Sequence, residues 1–273
     1  MRGSDAVIRA LEKEGVSYIS GFSGGGLAPL WRPLRESSSI QVFATRHERL
    51  GVEIADGYSR ATGKVGVAMC GVGPGATNTL TGIASCFADN VPVLLLMGQH
   101  PLRNLGKEYQ QEVSSSFFDT LVKWKATFTR VDEIPGIMRR AFTALRSASP
   151  GPVVLEMPQD VLPAEAEDQV LNYEPVGPGR KSAPDRQDIE KAAELLVRAK
   201  YPILNAGGGA LSGDAAAEVM ELAELLSMPV ATTLLGKSVF PEDHPLALGL
   251  GVYPRSRYAT GPALQINRKA DVV

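Results

Sequence analysis

Residues 46–99 decide the fold and read RHERLGVEIADGYSRATGKVGVAMCGVGPGATNTLTGIASCFADNVPVLLLMGQ. Apolar side chains at every fourth position predict an amphipathic helix that begins at Glu48 and ends at Gly63. Alternating apolar residues at 65–69 predict a short buried strand. The nearly continuous apolar run at 91–97 predicts a strand that is buried on both faces, as in a parallel sheet.

A glycine loop, Gly71 to Gly75, leads from the first of these strands into a second helix. Glu48 and this loop both lie where a strand passes into a helix, and this edge of an open α/β sheet is where ligands bind. The loop matches the relaxed dinucleotide fingerprint. However, the next strand ends at Met97-Gly98-Gln99 without the acidic residue that a ribose needs, which argues against a dinucleotide site.

The position of Glu48 has two interpretations. A glutamate in the first turn of a helix is stabilised by the helix dipole, which is a purely structural role. The same carboxylate lies at the predicted ligand edge, where it could take part in proton transfer. Position alone does not decide between these two roles.

The rest of the chain also alternates between strands and helices, which predicts an α/β fold with a parallel sheet flanked by helices. Residues 164–186 are rich in acidic residues, proline and glycine and have no periodicity, so they are predicted to link two domains, 1–163 and 187–273. The second domain is predicted to be the N-terminal part of a Rossmann-like fold. Its last residues, 270–273, look like a strand without a partner, and we therefore expect this domain to be cut short.

A second glycine run, Gly207-Gly208-Gly209, follows a predicted strand of the second domain. Such a run can meet a phosphate group or a flavin, and it can equally be a plain turn.

Composition excludes several classes of function. The net charge is −2 and there is no basic tract, so neither nucleic acid nor a membrane surface is an expected partner. No apolar run reaches the roughly 18 residues that a membrane span requires. The two cysteines, Cys70 and Cys86, have no metal-ligand spacing and suit a reducing cytoplasm.

A series of short motifs then makes the sequence more specific. They are Gly21-Phe22-Ser23-Gly24-Gly25, Arg46-His47-Glu48, Ala55-Asp56-Gly57-Tyr58, Gly73-Pro74-Gly75-Ala76-Thr77-Asn78, Val91-Pro92, Gly98-Gln99, Gln111-Glu112 and Pro150-Gly151-Pro152-Val153. In this order they resemble the thiamin-diphosphate-dependent decarboxylase and carboligase family, and within it most closely the catalytic subunit of acetolactate synthases. The resemblance covers essentially the whole chain and is strongest before about residue 160.

This resemblance implies a first domain with the thiamin-diphosphate-binding fold that holds the aminopyrimidine ring of the cofactor. The glutamate that matches Glu48 hydrogen-bonds N1′ of the ring, which favours the imino tautomer whose nitrogen removes the C2 proton. Gln111 is implied to reach the substrate from a mobile loop. The residues implied to line the ring pocket are Phe22, Ser23, Gly24, Gly71, Pro74 and Asn78.

The chain also departs from the family pattern. Ser23 replaces a usual proline, Gln110 replaces a usual aromatic residue on the substrate side, and a histidine near the flavin is replaced around 249–252. The family binds the diphosphate through Mg²⁺ with a Gly-Asp-Gly motif in a C-terminal domain, and this chain has no such motif. FAD at Gly207–Gly209 is thus less strongly implied than thiamin diphosphate, and the Mg²⁺ ligands are expected outside this chain.

We therefore expect the N-terminal portion of an acetolactate-synthase-like enzyme, a cytoplasmic transferase of branched-chain amino acid biosynthesis that decarboxylates pyruvate or another 2-oxo acid and ligates the product. The chain alone is expected to be inactive, and a homodimer or higher oligomer is expected because family active sites form between subunits. Two alternatives stay open. One is a related enzyme with another substrate, such as a sulfoacetaldehyde acetyltransferase or a 2-oxo acid decarboxylase. The other is a non-catalytic binding module that retains the fold.

Overall fold

The structure is a computed structural model that describes residues 1–22, 24–107, 111–177, 183–251 and 261–273. The chain divides into two compact units, Met1–Arg180 and Lys181–Val273.

The first unit is built around a six-stranded parallel sheet with the strand order β2-β1-β3-β4-β6-β5. Its strands are β1 Tyr18–Gly21, β2 Gln41–Ala44, β3 Gly66–Cys70, β4 Val93–Gln99, β5 Trp124–Thr127 and β6 Val153–Pro158. Its helices are α1 Gly3–Lys13, α2 Trp31–Glu36, α3 Glu48–Thr62, α4 Pro74–Thr77, α5 Leu80–Ala88 and α6 Ile134–Arg146.

The central strands are covered on both faces, as their sequence predicts. Every residue of β3, β4 and β6 is buried. One face packs against α1 and α6, and the other packs against α3 and α5, which contribute Val52 and Ile83 to a second apolar cluster. This arrangement confirms the predicted α/β fold with a parallel sheet flanked by helices.

Helix α3 begins at Glu48 and ends before Gly63, which has the left-handed φ of 69°. The helix packs on the sheet through small side chains, because its buried residues are Gly51, Val52, Ala55 and Ser59. The apolar residues that predict the helix point the other way: Leu50 is 47% exposed and Ile54 is 40% exposed. The amphipathic pattern therefore predicts the helix correctly, but its large apolar side chains do not face the core.

The division between the units falls inside the segment 164–186 that the sequence predicts as a linker. The first part of this segment packs against the first unit, and Leu171 and Tyr173 are buried in its core. The buried carboxylate of Glu14, the residue that follows α1, accepts hydrogen bonds from the Tyr173 hydroxyl, from the backbone N–H of Val176 and from Arg146. These hydrogen bonds hold the first part of the segment against the first unit.

The second unit contains a three-stranded parallel sheet in the order β7-β8-β9. Its elements are α7 Arg186–Arg198, β7 Leu204–Ala206, α8 Gly208–Ser212, α9 Ala216–Leu226, β8 Val230–Thr232, β9 Ala247–Leu250 and α10 Gly261–Asn267. The expectation that the last residues have no partner is wrong, because Val272 forms a parallel bridge with Pro202. The backbone carbonyl of Val272 accepts a hydrogen bond from Ile203 N at 2.9 Å.

Among the described residues, no helix is long and apolar enough to cross a membrane. Both cysteines are buried free thiols.

Replacing the buried carboxylate of Glu14 should weaken the packing of residues 164–177 against the first unit. The side chain of Glu14 is 1% exposed, and Glu14→Gln leaves Arg146 without its counter-charge. Breaking a buried ion pair from one side costs about 3–5 kcal/mol. Urea denaturation should show that the free energy of unfolding falls by an amount of this order. Limited proteolysis should cut within 164–177 more readily than in the wild type. Glu165→Gln is the control, because Glu165 pairs with Arg2 on the exposed surface, and an equal loss in both variants would contradict the account.

Candidate functional site

Three loops meet at one edge of the first sheet, because β2, β1 and β3 are neighbours and run parallel. Their carboxyl ends lead into Thr45–His47, Phe22–Gly24 and Gly71–Gly73 respectively. In a parallel sheet these ends lie on the same side, and ligands bind there. The fold therefore brings Glu48 and both glycine-containing segments, which are far apart in the sequence, to one place.

The loop before α3 fixes the position of Glu48. His47 is the N-cap of α3, and its Nδ1 accepts a hydrogen bond from Arg49 N at 3.2 Å. The buried Thr45 donates from its hydroxyl to the His47 carbonyl at 2.9 Å. A β-carbon at Gly51, one turn into the helix, would lie 2.6 Å from Gly21 Cα, so the helix start rests directly on β1. Glu48 is thus held by backbone contacts as well as by its cap.

The half-buried carboxylate of Glu48 faces the glycine loop. Asn78 Nδ2 donates a hydrogen bond to Glu48 Oε2 at 3.0 Å. The other oxygen, Oε1, lies where a side chain at position 75 would begin, since a β-carbon on Gly75 would be 3.2 Å from it. The carboxylate therefore occupies the space that Gly75 leaves open, and its orientation is set by Asn78.

The two glycine segments touch through their backbones. A β-carbon on Gly24 would lie 3.0 Å from Gly71 Cα. Phe22 precedes this contact at the end of β1 and is 46% exposed. Ser23 lies outside the described residues. A side chain at Gly24 or at Gly71 would press on the backbone of the other loop, so both loops present bare backbone at this edge.

Gln111 is brought to the same loop by Gly73. Gly73 has φ 53° and ψ −113°, a backbone conformation that other residues avoid. A β-carbon on Gly73 would overlap the backbone oxygen of Gln111, which itself has φ 62°. The loop that carries Gln111 thus docks on the glycine loop, while Gln110 lies outside the described residues.

Below the site lies Cys70, the last residue of β3. Burial raises the pKa of its thiol far above the usual range, and the negative charge of Glu48 raises the pKa further. Cys70 therefore stays a neutral thiol at physiological pH and cannot act as a nucleophile.

The glycine run of the second unit has a different environment. Gly207 follows β7 and is the N-cap of α8, a helix of five residues. A β-carbon on Gly208 would lie 3.1 Å from Leu235 Cβ, so this glycine serves packing within the unit. Gly209 has open space around it.

The sequence motifs name most of the residues at this edge, and the structure adds two. Phe22, Gly24 and Gly71 lie on the three loops, Glu48 and Pro74 begin the helices that follow two of them, Asn78 caps α4, and Gln111 lies on the segment that docks there. Gly73 and Gly75 are not among the residues that the resemblance implies, although both belong to the glycine loop that the sequence puts at the ligand edge. Across the described ranges, no group of three or more His, Cys, Asp or Glu side chains could hold a metal ion.

Comparison with known protein families matches both parts of the chain. Residues 1–118 match the family model described as the N-terminal TPP binding domain of thiamine pyrophosphate enzymes. Residues 189–273 match the model described as the central domain of thiamine pyrophosphate enzymes.

Similar proteins include two curated relatives and one solved structure. The "Probable acetolactate synthase large subunit" of Methanocaldococcus jannaschii is 39% identical over 92% of this chain and 43% of its own length. The "Glyoxylate carboligase" of Escherichia coli O157:H7 is 38% identical over 97% of this chain and 45% of its own length. The crystal structure of a protein assigned as a thiamin diphosphate-dependent enzyme of Mycobacterium smegmatis matches with a TM-score of 0.82 at 24% identity, covering 92% of this chain and 48% of that one. The chain thus spans about half the length of these proteins.

A side chain at position 73 should separate the Gln111 segment from the glycine loop. Gly73→Ala forces a left-handed φ on alanine and pushes against the backbone of Gln111. Such a substitution destabilises by more than about 1 kcal/mol, which urea denaturation can measure. Proteolysis between 106 and 113 should become faster. Gly57→Ala is the matched control, because Gly57 lies within α3 with open space around it, and it should be neutral or stabilising. Equal stability of the two variants would rule out the docking contact.

Proposed function

Because the chain belongs to the thiamine pyrophosphate enzymes, we propose that it supplies the first two domains of an acetolactate-synthase-like enzyme. This enzyme decarboxylates pyruvate or another 2-oxo acid and ligates the product to an acceptor. The relatives named as acetolactate synthases support the reaction class. In the experiments below, the full-length enzyme means this chain joined to the C-terminal domain that the proposal requires.

The observation that carries the proposal is the carboxylate of Glu48 beside the glycine loop. An aminopyrimidine ring needs a flat surface without side chains and a carboxylate at its edge. Gly24 and Gly71 present backbone without side chains at this edge, and Oε1 of Glu48 is directed towards Gly75 of the glycine loop. The residues present therefore fit the ring of thiamin diphosphate, and Phe22 and Pro74 are the apolar side chains on the same loops.

When bound, thiamin diphosphate supplies the carbanion chemistry at its C2 atom. The chain's own contribution is to hold the ring and to control a proton at N1′ through Glu48. A hydrogen bond to a charged group is stronger in a partly buried site than in water. We propose that Gln111, whose backbone oxygen lies against Gly73, contacts the substrate.

We propose that Mg²⁺ and the diphosphate group are held by the C-terminal domain. Magnesium prefers oxygen ligands such as carboxylates, and the described residues form no such cluster. The proposal for FAD at Gly207–Gly209 has weaker support, because Gly208 packs against Leu235 and α8 is only five residues long. Flavin binding therefore rests on the resemblance alone.

The identity of the 2-oxo acid has two candidates. Pyruvate is favoured by the acetolactate synthases among the relatives, and this substrate would place the enzyme in branched-chain amino acid biosynthesis. A different 2-oxo acid is favoured by the glyoxylate carboligase, which is 38% identical against 39% for the first relative. Steady-state assays of the full-length enzyme with pyruvate and with glyoxylate decide between them.

We also propose a cytoplasmic location, which the free thiols of Cys70 and Cys86 support.

Glu48→Gln tests the proposed function directly. The variant keeps the size of the side chain but loses its charge, so the fold should persist. In the full-length enzyme, exchange of the cofactor's C2 proton with deuterium, followed by NMR, should slow about 10²–10⁴-fold. Exchange at the wild-type rate would remove Glu48 from the chemistry, and normal melting behaviour of the variant is the control for folding.

We further propose that two copies associate through the outward face of α3. Its exposed apolar residues adjoin a surface cluster in which Tyr18 stacks on Phe43 at 5.4 Å and meets Tyr58 edge-on at 5.5 Å. Exposed apolar patches of this kind mark interaction sites. Helix α5 is the weaker candidate, since a β-carbon on Gly82 would lie 2.7 Å from a methyl group of Val52 and its small residue thus serves packing inside the domain.

A charge on this face of α3 should prevent association. We expect the 273-residue chain to form dimers at micromolar concentration, and Ile54→Glu to shift it to monomers because a carboxylate would be buried without a partner. Sedimentation equilibrium measures both. Ile189→Glu is the control, since Ile189 is also exposed but lies on α7 of the second unit. A wild-type chain that is monomeric, or equal dissociation by both variants, would contradict the interface.

A further inference from the structure

We infer that Asn78 is a positioning residue, which acts on the reaction by holding the carboxylate of Glu48. This inference rests on the proposed function, but it changes the role that the resemblance implies, which is contact with the cofactor ring. Asn78 Nδ2 donates to Glu48 Oε2 at 3.0 Å, across thirty positions of sequence. Its own place is fixed because it caps α4 and donates its backbone N–H to the Pro74 carbonyl at 3.0 Å.

The hydrogen bond gives the two carboxylate oxygens of Glu48 different roles. Oε2 accepts the hydrogen bond from Asn78, whereas Oε1 lies over Gly75 and, among the described residues, accepts no side-chain hydrogen bond. A glutamate side chain has three rotatable bonds, and Glu48 is only half-buried. No other residue of α3 holds its carboxylate in one orientation. Among the described residues, Asn78 provides the one side-chain hydrogen bond to Glu48. The amide therefore selects the orientation that keeps Oε1 available.

The chemistry of the pair explains why an amide suits position 78. The NH₂ group donates to an ionised carboxylate and carries no charge of its own. A lysine would neutralise the carboxylate, and a second carboxylate would repel it. An asparagine holds the orientation and leaves the negative charge available for the proton at the ring nitrogen.

The test compares Asn78→Ala and Asn78→Asp with Thr77→Ala in the full-length enzyme. Thr77 is the preceding residue, and its hydroxyl bonds only the Pro74 carbonyl. Loss of a hydrogen bond to a charged group should slow C2 proton exchange about 10- to 100-fold in Asn78→Ala, while Thr77→Ala keeps the wild-type rate. The Kd for thiamin diphosphate should change little, because a positioning residue does not bind the ring itself. Asn78→Asp should be as slow at neutral pH and should recover at lower pH, since a protonated Asp at 78 can donate to Glu48 again.

The double variant separates this inference from the proposed function. Asn78→Ala added to Glu48→Gln should cause little further loss, because both act through the same carboxylate. If Glu48→Gln itself exchanges normally, the proposed function fails. If Glu48→Gln is slow and Asn78→Ala is fast, only the positioning role is overturned. A large rise in the Kd for thiamin diphosphate, or losses that add in the double variant, would assign Asn78 to the cofactor ring instead.

Discussion

The close contact between helix α3 and the sheet is the constraint on which the rest of the first domain depends. Gly51 rests on Gly21, so the first turn of the helix lies directly against the end of β1. A larger residue at position 51 would move the helix away from β1, and one at position 21 would clash with the backbone of Met69 on β3. Because Glu48 is the first residue of that helix, its distance from the glycine loop is set by backbone packing. The carboxylate is thereby placed more rigidly than a long side chain on a free loop would be.

The same constraint explains the surface of the domain. A helix that packs through small residues must place its large apolar side chains elsewhere, and Leu50 and Ile54 lie on the outward side. Near the edge strand β2, Ile54 lines the same surface groove as Tyr18, Phe43 and Tyr58, and Phe43 is also exposed. The feature that brings the catalytic candidate close to the sheet thus also creates the surface proposed for association. The site geometry and the surface proposed for association are two results of one packing arrangement.

Much of the fold can be predicted from local pattern, and the rest depends on contacts between distant residues. Strand β4 is predictable because its first five residues, 93–97, are all apolar and the whole strand is buried. Strand β5 at Trp124–Thr127 escapes prediction, because it is four half-buried residues long and includes a lysine. The packed course of 164–177 could not be foreseen, since it follows from Glu14, which lies far away in the sequence. Site residues could be named from motifs, but the pairing of Asn78 with Glu48 required the fold.

The central claim is that the carboxylate of Glu48 meets the aminopyrimidine ring of the cofactor at the edge formed by β1, β2 and β3. A crystal structure of the full-length enzyme with thiamin diphosphate and Mg²⁺ measures this directly. The account predicts a hydrogen bond of about 2.6–3.0 Å between Oε1 of Glu48 and N1′ of the ring, with the ring over Gly24 and Gly71. A ring bound elsewhere, or an N1′ atom that pairs with a different side chain, would contradict it.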